Sequence, residues 1–207
     1  MRIGILAAQG AFAEHIATLH QLEVETLPVR LPSELRGVDG LIIPGGESTS
    51  ISRLMLDYNL VSEIRKLAKS GLPILGTCAG MILLAKEILD PDVEPLGLMD
   101  ITVRRNAFGR QKDSFETELT IPVLGEKSFP GVFIRAPIIE RANSKVEILT
   151  RLTNGTGVAA RQGKLLPSAF HPELTNDLRF HQYFLNIVTE GSKFRLEGNA
   201  FAKGNHR

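Results

Sequence analysis

The chain has 207 residues, with 24 Lys and Arg against 23 Asp and Glu and a formal net charge of +1, so no global basic field recommends nucleic acid as a partner. Its single cysteine, Cys78, excludes an internal disulfide, and a chain of this length buries a full core as one domain more readily than as two. No apolar run reaches the roughly 18 to 20 residues that a membrane span requires, so no membrane partner is expected.

Met1 to Ala8 faintly imitates a signal peptide, but Gln9 and Gly10 cut the apolar run short and a helical pattern follows, so the segment reads as a buried first strand. With a thiol to be kept reduced, a cytoplasmic location is expected. Strand-like runs at residues 3–8, 25–29, 40–43 and 73–77 alternate with helical patterns such as Phe12, Ile16, Leu19 and Leu60, Ile64, Leu67. That alternation predicts an α/β fold with a mostly parallel sheet covered on both faces. Residues 97–160 are richer in turns and strand-like pieces (101–103, 115–121, 146–150, 158–160) and predict an antiparallel extension that carries Arg105 and Arg135 toward a pocket. A further strand is expected over 164–170 and a last helix over 176–189, packing Phe180, Phe184, Ile187 and Val188 on one side. The domain is expected to span 1–190, with 191–207 a polar tail that frays. His15, His20 and His181 fall on helical segments and are expected to be surface or helix-edge residues. No metal-ligand cluster or internal repeat is visible.

Three motifs stand at strand ends. Gly76-Thr77-Cys78-Ala79-Gly80 follows the apolar Pro73-Ile74-Leu75 and precedes a helical run through Met81 to Lys86. This is the grammar of a nucleophile elbow: small residues two positions either side let strand and helix approach while a strained corner projects the side chain. The helix N-terminus favours thiolate over thiol. A buried, inert cysteine is the alternative at this point. Downstream, His171-Pro172-Glu173 offers an imidazole and a carboxylate two residues apart, on one face of an extended segment stiffened by proline. A thiolate, a proton-shuttling imidazole and a carboxylate that orients it make a Cys-His-Glu triad. The third motif, Pro44-Gly45-Gly46-Glu47-Ser48-Thr49, either is a plain glycine turn with Ser48, Thr49 or Ser50 capping a helix, or presents bare amides beside the thiol. In the second case Gly45, Gly46 and Ala79 would supply the N–H groups of an oxyanion hole.

Together these motifs resemble the class I, or triad, glutamine amidotransferases, a flavodoxin-like three-layer fold. Ala8-Gln9-Gly10-Ala11, Arg105 to Gln111, Phe133-Ile134-Arg135-Ala136-Pro137 and Ser168 to Leu174 are similar, more narrowly, to the glutaminase-subunit family of pyridoxal 5′-phosphate synthase, over about residues 2–190. The resemblance implies hydrolysis of L-glutamine to L-glutamate and ammonia, with Cys78, His171 and Glu173 catalytic and Gly46, Glu47, Ser48, Arg105, Ile134 and Arg135 holding the substrate. It implies no cofactor and no metal, a partner synthase subunit that receives the ammonia, and a coupling role for Gln9 and Gly10. Two positions depart from the family pattern: Ala8 stands for a larger aliphatic residue and Ala169 for a serine. A glutaminase serving another acceptor, or a binding subunit that uses the fold without turnover, are the other readings. The stretches around Arg105 and Arg135 argue against the first, and the intact triad against the second.

Overall fold

The computed structural model describes residues 1–89, 92–107 and 114–202, with side chains described as far as Glu190 in the last helix. Five parallel strands form the foundation: β1 (Arg2–Leu6), β2 (Glu25–Val29), β3 (Gly40–Ile43), β4 (Ile74–Thr77) and, from far along the chain, β12 (Leu165–Ser168). Their order β2-β1-β3-β4-β12 is that of the flavodoxin-like doubly wound sheet. Every residue of β3 and β4 is buried, as expected of strands covered on both faces. Helix α1 (Phe12–Gln21) packs on β1 and β2. Helix α2 (Ser48–Asp57) meets α3 (Leu60–Lys69) and the short α4 (Ala79–Leu84).

Beyond β12 the sheet turns antiparallel through β11 (Gly157–Arg161) and β9 (Ile138–Ala142) to β6 (Met99–Arg104). Strand β5 (Ala85–Ile88) lies parallel to β6 at the edge, and β10 (Glu147–Arg151) pairs with β11. A separate hairpin pairs β7 (Ser114–Leu119) with β8 (Phe129–Ile134). The expected extension is therefore present, but Lys86 belongs to strand β5 and not to the helix the pattern predicted. Apolar residues run continuously from Met81 to Ala85, and sequence period alone does not separate a helix end from a strand start there. Helix α5 (Arg179–Ala202) begins later and continues farther than predicted, and residues 203–207 lie outside the described residues.

The segment that delivers His171 is fixed by aromatic packing. Phe170 is fully buried, with ring centroids 5.7 Å from Phe129, 5.8 Å from Phe133 and 5.1 Å from Phe180, so β8, the end of β12 and α5 meet on one ring. Arg179 locks the outer side, donating to Leu124 O, Lys127 O and Ser128 O and pairing with Asp177 at 2.6 Å. No described helix is long and apolar enough to cross a membrane.

Candidate active site

Loops leaving the carboxyl ends of the parallel strands gather at one edge of the sheet, where ligands bind in folds of this kind. Gln9 follows β1, Gly45 and Gly46 follow β3, Cys78 follows β4 and His171 follows β12. Cys78 has φ +48° and ψ −100°, a strained conformation for a non-glycine residue and the signature of an elbow. Its amide donates to Ser168 O at 2.7 Å, which stitches the corner to β12. The close approach that the motif implied is real: a Cβ on Gly80 would collide with the carbonyl oxygen of Ile43. Helix α4, which starts at the elbow, has only six residues.

The thiol makes a long contact with Ile134 O at 3.8 Å. His171 Nδ1 bonds Glu173 Oε1 at 2.8 Å, which leaves Nε2 as the nitrogen available to the thiol. Burial alone would lower the His171 pKa, but its interactions with Cys78 and Glu173 outweigh burial and raise it to about 10. Burial likewise favours a neutral Glu173, yet His15 and His171 hold its carboxyl below the usual carboxylate range. The pair does not meet along an extended strand as predicted. Pro172–Leu174 form a single 3-10 turn entered from His171, and the tighter turn brings the carboxylate back to the ring.

A cavity of about 200 Å³ is lined by Gly46, Glu47, Ser48, Cys78, Ile82, Arg105, Asn106, Ile134, Arg135 and His171. It is smaller than the ~300–1,000 Å³ of a drug-sized cleft and suits a small ligand. All six residues expected to hold a substrate line it. Ile82 and Asn106 also line it, although no sequence signal distinguished them. Of the Arg105–Gln111 stretch, residues 108–111 lie outside the described residues. A wider cleft of about 860 Å³ over the β7–β8 hairpin contains neither the thiol nor the imidazole.

Two expectations change. The cap of α2 is Glu47 and not a serine or threonine: its carboxylate accepts from the amides of Thr49 at 3.0 Å and Ser50 at 2.6 Å. Burial would raise the Glu47 pKa, but these donors and the Ser50 hydroxyl bring it down to about 2. Arg105 pairs with the same carboxylate at 3.5 Å. The second change concerns Gly45, whose N–H donates to Thr77 Oγ1 at 3.1 Å and is thereby used. The amides of Gly46 and Ala79 have no acceptor among the described residues, so the donors at hand are these two. Gly45 stays necessary for space, because a Cβ there would collide with the His171 ring.

Gln9 and Gly10 lie outside the cavity but touch its wall. Gln9 Oε1 accepts from Glu47 N–H at 2.9 Å, and Ala11 N–H donates to Gly45 O at 3.0 Å. His15 and His181, expected near the surface, are both fully buried, because α1 and α5 face each other across them. His20 is exposed as expected.

A doubly wound sheet with thiol, imidazole and carboxylate gathered at its carboxyl edge defines a class of protein, and comparison with known proteins names it: the chain belongs to the SNO glutamine amidotransferase family, whose model matches residues 5–190. It is similar to the pyridoxal 5′-phosphate synthase subunit PdxT of Herpetosiphon aurantiacus, at 60% identity over 90% of this chain and 100% of that one. Similar, too, is the PdxT subunit of Moorella thermoacetica, at 56% identity over 91% and 100%. A solved glutamine amidotransferase superposes with a TM-score of 0.86 at 49% identity, covering 90% of this chain and 98% of that one. A putative GMP synthase subunit from Thermoplasma acidophilum, at 17% identity and a TM-score of 0.71 over 94% and 97%, shares the fold.

Proposed function

We propose that this chain is the glutaminase subunit of a pyridoxal 5′-phosphate synthase, hydrolysing L-glutamine to L-glutamate and ammonia and passing the ammonia to a synthase subunit. The observation that carries the chemistry is the strained Cys78 beside an imidazole whose other nitrogen is held by a buried carboxylate. The observation that carries the acceptor is the full-length similarity to PdxT subunits.

In this reading the Cys78 thiolate attacks the side-chain amide carbon of glutamine. The developing oxyanion is met by the amides of Gly46 and Ala79. His171 gives its proton to the leaving nitrogen, the C–N bond breaks, and ammonia departs from a γ-glutamyl thioester. Water then attacks the thioester carbon while His171 takes its proton, and the C–S bond breaks to release glutamate. Glu173 keeps the imidazole in the Nδ1–H tautomer and stabilises its charged form. Arg105 supplies the cation for the substrate carboxylate, Glu47 an acceptor for its ammonium, and Ser48, Ile134 and Arg135 complete the enclosure. Gln9, bonded to Glu47 N–H, and Gly10, packed against Gly45 and Gly46, couple the site to the partner. The unit that does this is a single domain over residues 1–190, with 191–207 a tail, and its place is the cytoplasm, where the lone thiol stays reduced.

The test is glutamate release from L-glutamine by the wild type and Cys78→Ala, each with and without the synthase subunit. Turnover that needs Cys78 and rises with the partner is expected. Cys78-dependent turnover indifferent to the partner would assign another acceptor, and no turnover in any combination would leave a binding subunit.

A further inference from the structure

Glu173 uses one oxygen on His171, and its second, Oε2, is buried with no partner at ordinary hydrogen-bond distance. An unpaired oxygen on a buried carboxylate is expensive. A candidate side-chain donor is His15 Nε2, at 3.4 Å, on α1. His15 is itself enclosed: Nε2 also lies 3.1 Å from Thr77 Oγ1, and Nδ1 lies 2.9 Å from His181 Nε2. At the far end of this chain of groups, His181 Nδ1 is buried without a partner. The cluster is not a metal site, since no group of three or more His, Cys, Asp or Glu among the described residues is placed to hold one.

Two proton arrangements fit the 2.9 Å contact between the histidines. With the proton of His15 on Nδ1, it donates to His181. His181 must then carry its own proton on Nδ1, stranding a buried N–H, while His15 turns a lone pair toward the Glu173 carboxylate. With the proton on Nε2, His181 Nε2–H donates to His15 Nδ1, and His15 Nε2–H points between Thr77 Oγ1 and Glu173 Oε2. The atom then left unpaired is a neutral ring nitrogen of His181. The Thr77 hydroxyl, free to rotate, gives up donating to His15, a smaller loss than an unpaired carboxylate oxygen.

Building on the triad reading, we infer that His15 is a positioning residue for the hydrolysis: a neutral, Nε2-protonated imidazole that grips the second oxygen of Glu173 and is set in that tautomer by His181. Glu173 is then held at both oxygens, by His171 from its own loop and by His15 from α1, so it cannot rotate away from His171. Thr77 extends the grip. Its oxygen accepts from Gly45 N–H and from His15, so one ring braces the carboxylate, the residue before the nucleophile and the glycine turn. Burial keeps both His15 and His181 neutral, consistent with this assignment. The charged or titratable groups acting on this ring are Glu173, His171 and Glu14, with His181 facing it from α5.

The experiment has two arms. Nitrogen-15 NMR of the wild-type full chain reads the tautomers of His15 and His181, and Nε2–H on both is expected. Nδ1–H on His15 overturns the inference whether or not any variant folds. In the second arm, glutaminase kinetics are measured on the complex with the synthase subunit for His15→Leu, His15→Gln and Cys78→Ala. His15→Leu should lower kcat about 10-fold, the scale of one buried hydrogen bond in the transition state, with KM within about 2-fold. Its acid limb should move to higher pH, because Glu173 loses a donor to its ionised form. His15→Gln, whose amide N–H reaches the same place, should recover most of kcat and the wild-type limb. Equal losses in both variants with an unmoved limb, or a wild-type kcat in His15→Leu, overturn the inference while Cys78→Ala remains inactive. Turnover by Cys78→Ala would instead sink the triad reading beneath it.

Discussion

The parallel half of the sheet and its antiparallel extension contribute different things to one cavity. Cys78, His171 and Glu173 follow strands of the parallel half and are buried; Cys78 N–H donates to Ser168 O of β12, and His171 N–H to Val132 O of the β7–β8 hairpin at 2.8 Å. Arg105 and Asn106 come from the end of β6 in the extension, and Ile134 and Arg135 from the end of β8 in the separate hairpin. These are more open, and Asn106 and Arg135 have φ of +46° and +43°. In the function proposed above, chemistry rests on the buried part and substrate recognition on the more open loops. Changes at Cys78, His171 and Glu173 should therefore strike kcat, and changes at Arg105 and Arg135 KM.

The largest separation is expected from Glu173→Gln, which keeps shape but removes the charge that holds His171 as Nδ1–H. A kcat loss of about 10³-fold with little change in KM is expected, near the scale seen when a triad carboxylate is neutralised. Steady-state glutamate release checks it, and a loss confined to KM would break the division. Gly80→Ala tests the same half through packing: its new Cβ meets Ile43 O, so α4 must shift at a cost of about 2–3 kcal/mol. Denaturant unfolding should show that loss. In the extension, Arg105→Ala should raise KM for glutamine about 10-fold and leave kcat within a few-fold.

The smallest effect is on stability against pH. His15 and His181 are neutral when folded, His181 with a pKa lowered to about 3 by burial and then by His15. The unfolded chain thus binds more protons below about 6.5, and stability rises with pH there. Glu173, lowered when folded, adds to the same trend below its ordinary value of 4.5. His171 behaves oppositely. Held charged up to about 10, it favours the folded state below 6.5 and loses that contribution as pH climbs toward 10. Thermal unfolding across pH should be most resistant near 6.5, and His181→Phe should flatten the acid side only.

Legibility in the sequence followed the same division. The elbow, the glycine turn and the His-Pro-Glu motif are local and legible at the strand ends, although the 3-10 turn that brings Glu173 back to His171 is not read from their spacing. The mostly parallel sheet likewise grows from a regular alternation. By contrast, the His15–His181 contact joins residues 166 apart, and a histidine on a helical segment looks the same whether another helix covers it or water does. Glu47 is legible as a residue of the cavity but not as a cap, because serine and threonine stand beside it and only geometry decides which side chain reaches the amides. The engagement of Gly45 N–H depends on Thr77, a residue that local pattern makes unremarkable.

The most direct test is mass spectrometry of the intact chain, quenched in acid during glutamine turnover with the synthase subunit present. A species heavier by one γ-glutamyl group, mapping to the peptide of Cys78 and absent from Cys78→Ala, is the expected result. Steady glutamate release with no such adduct on Cys78, or with the adduct elsewhere, would contradict the account.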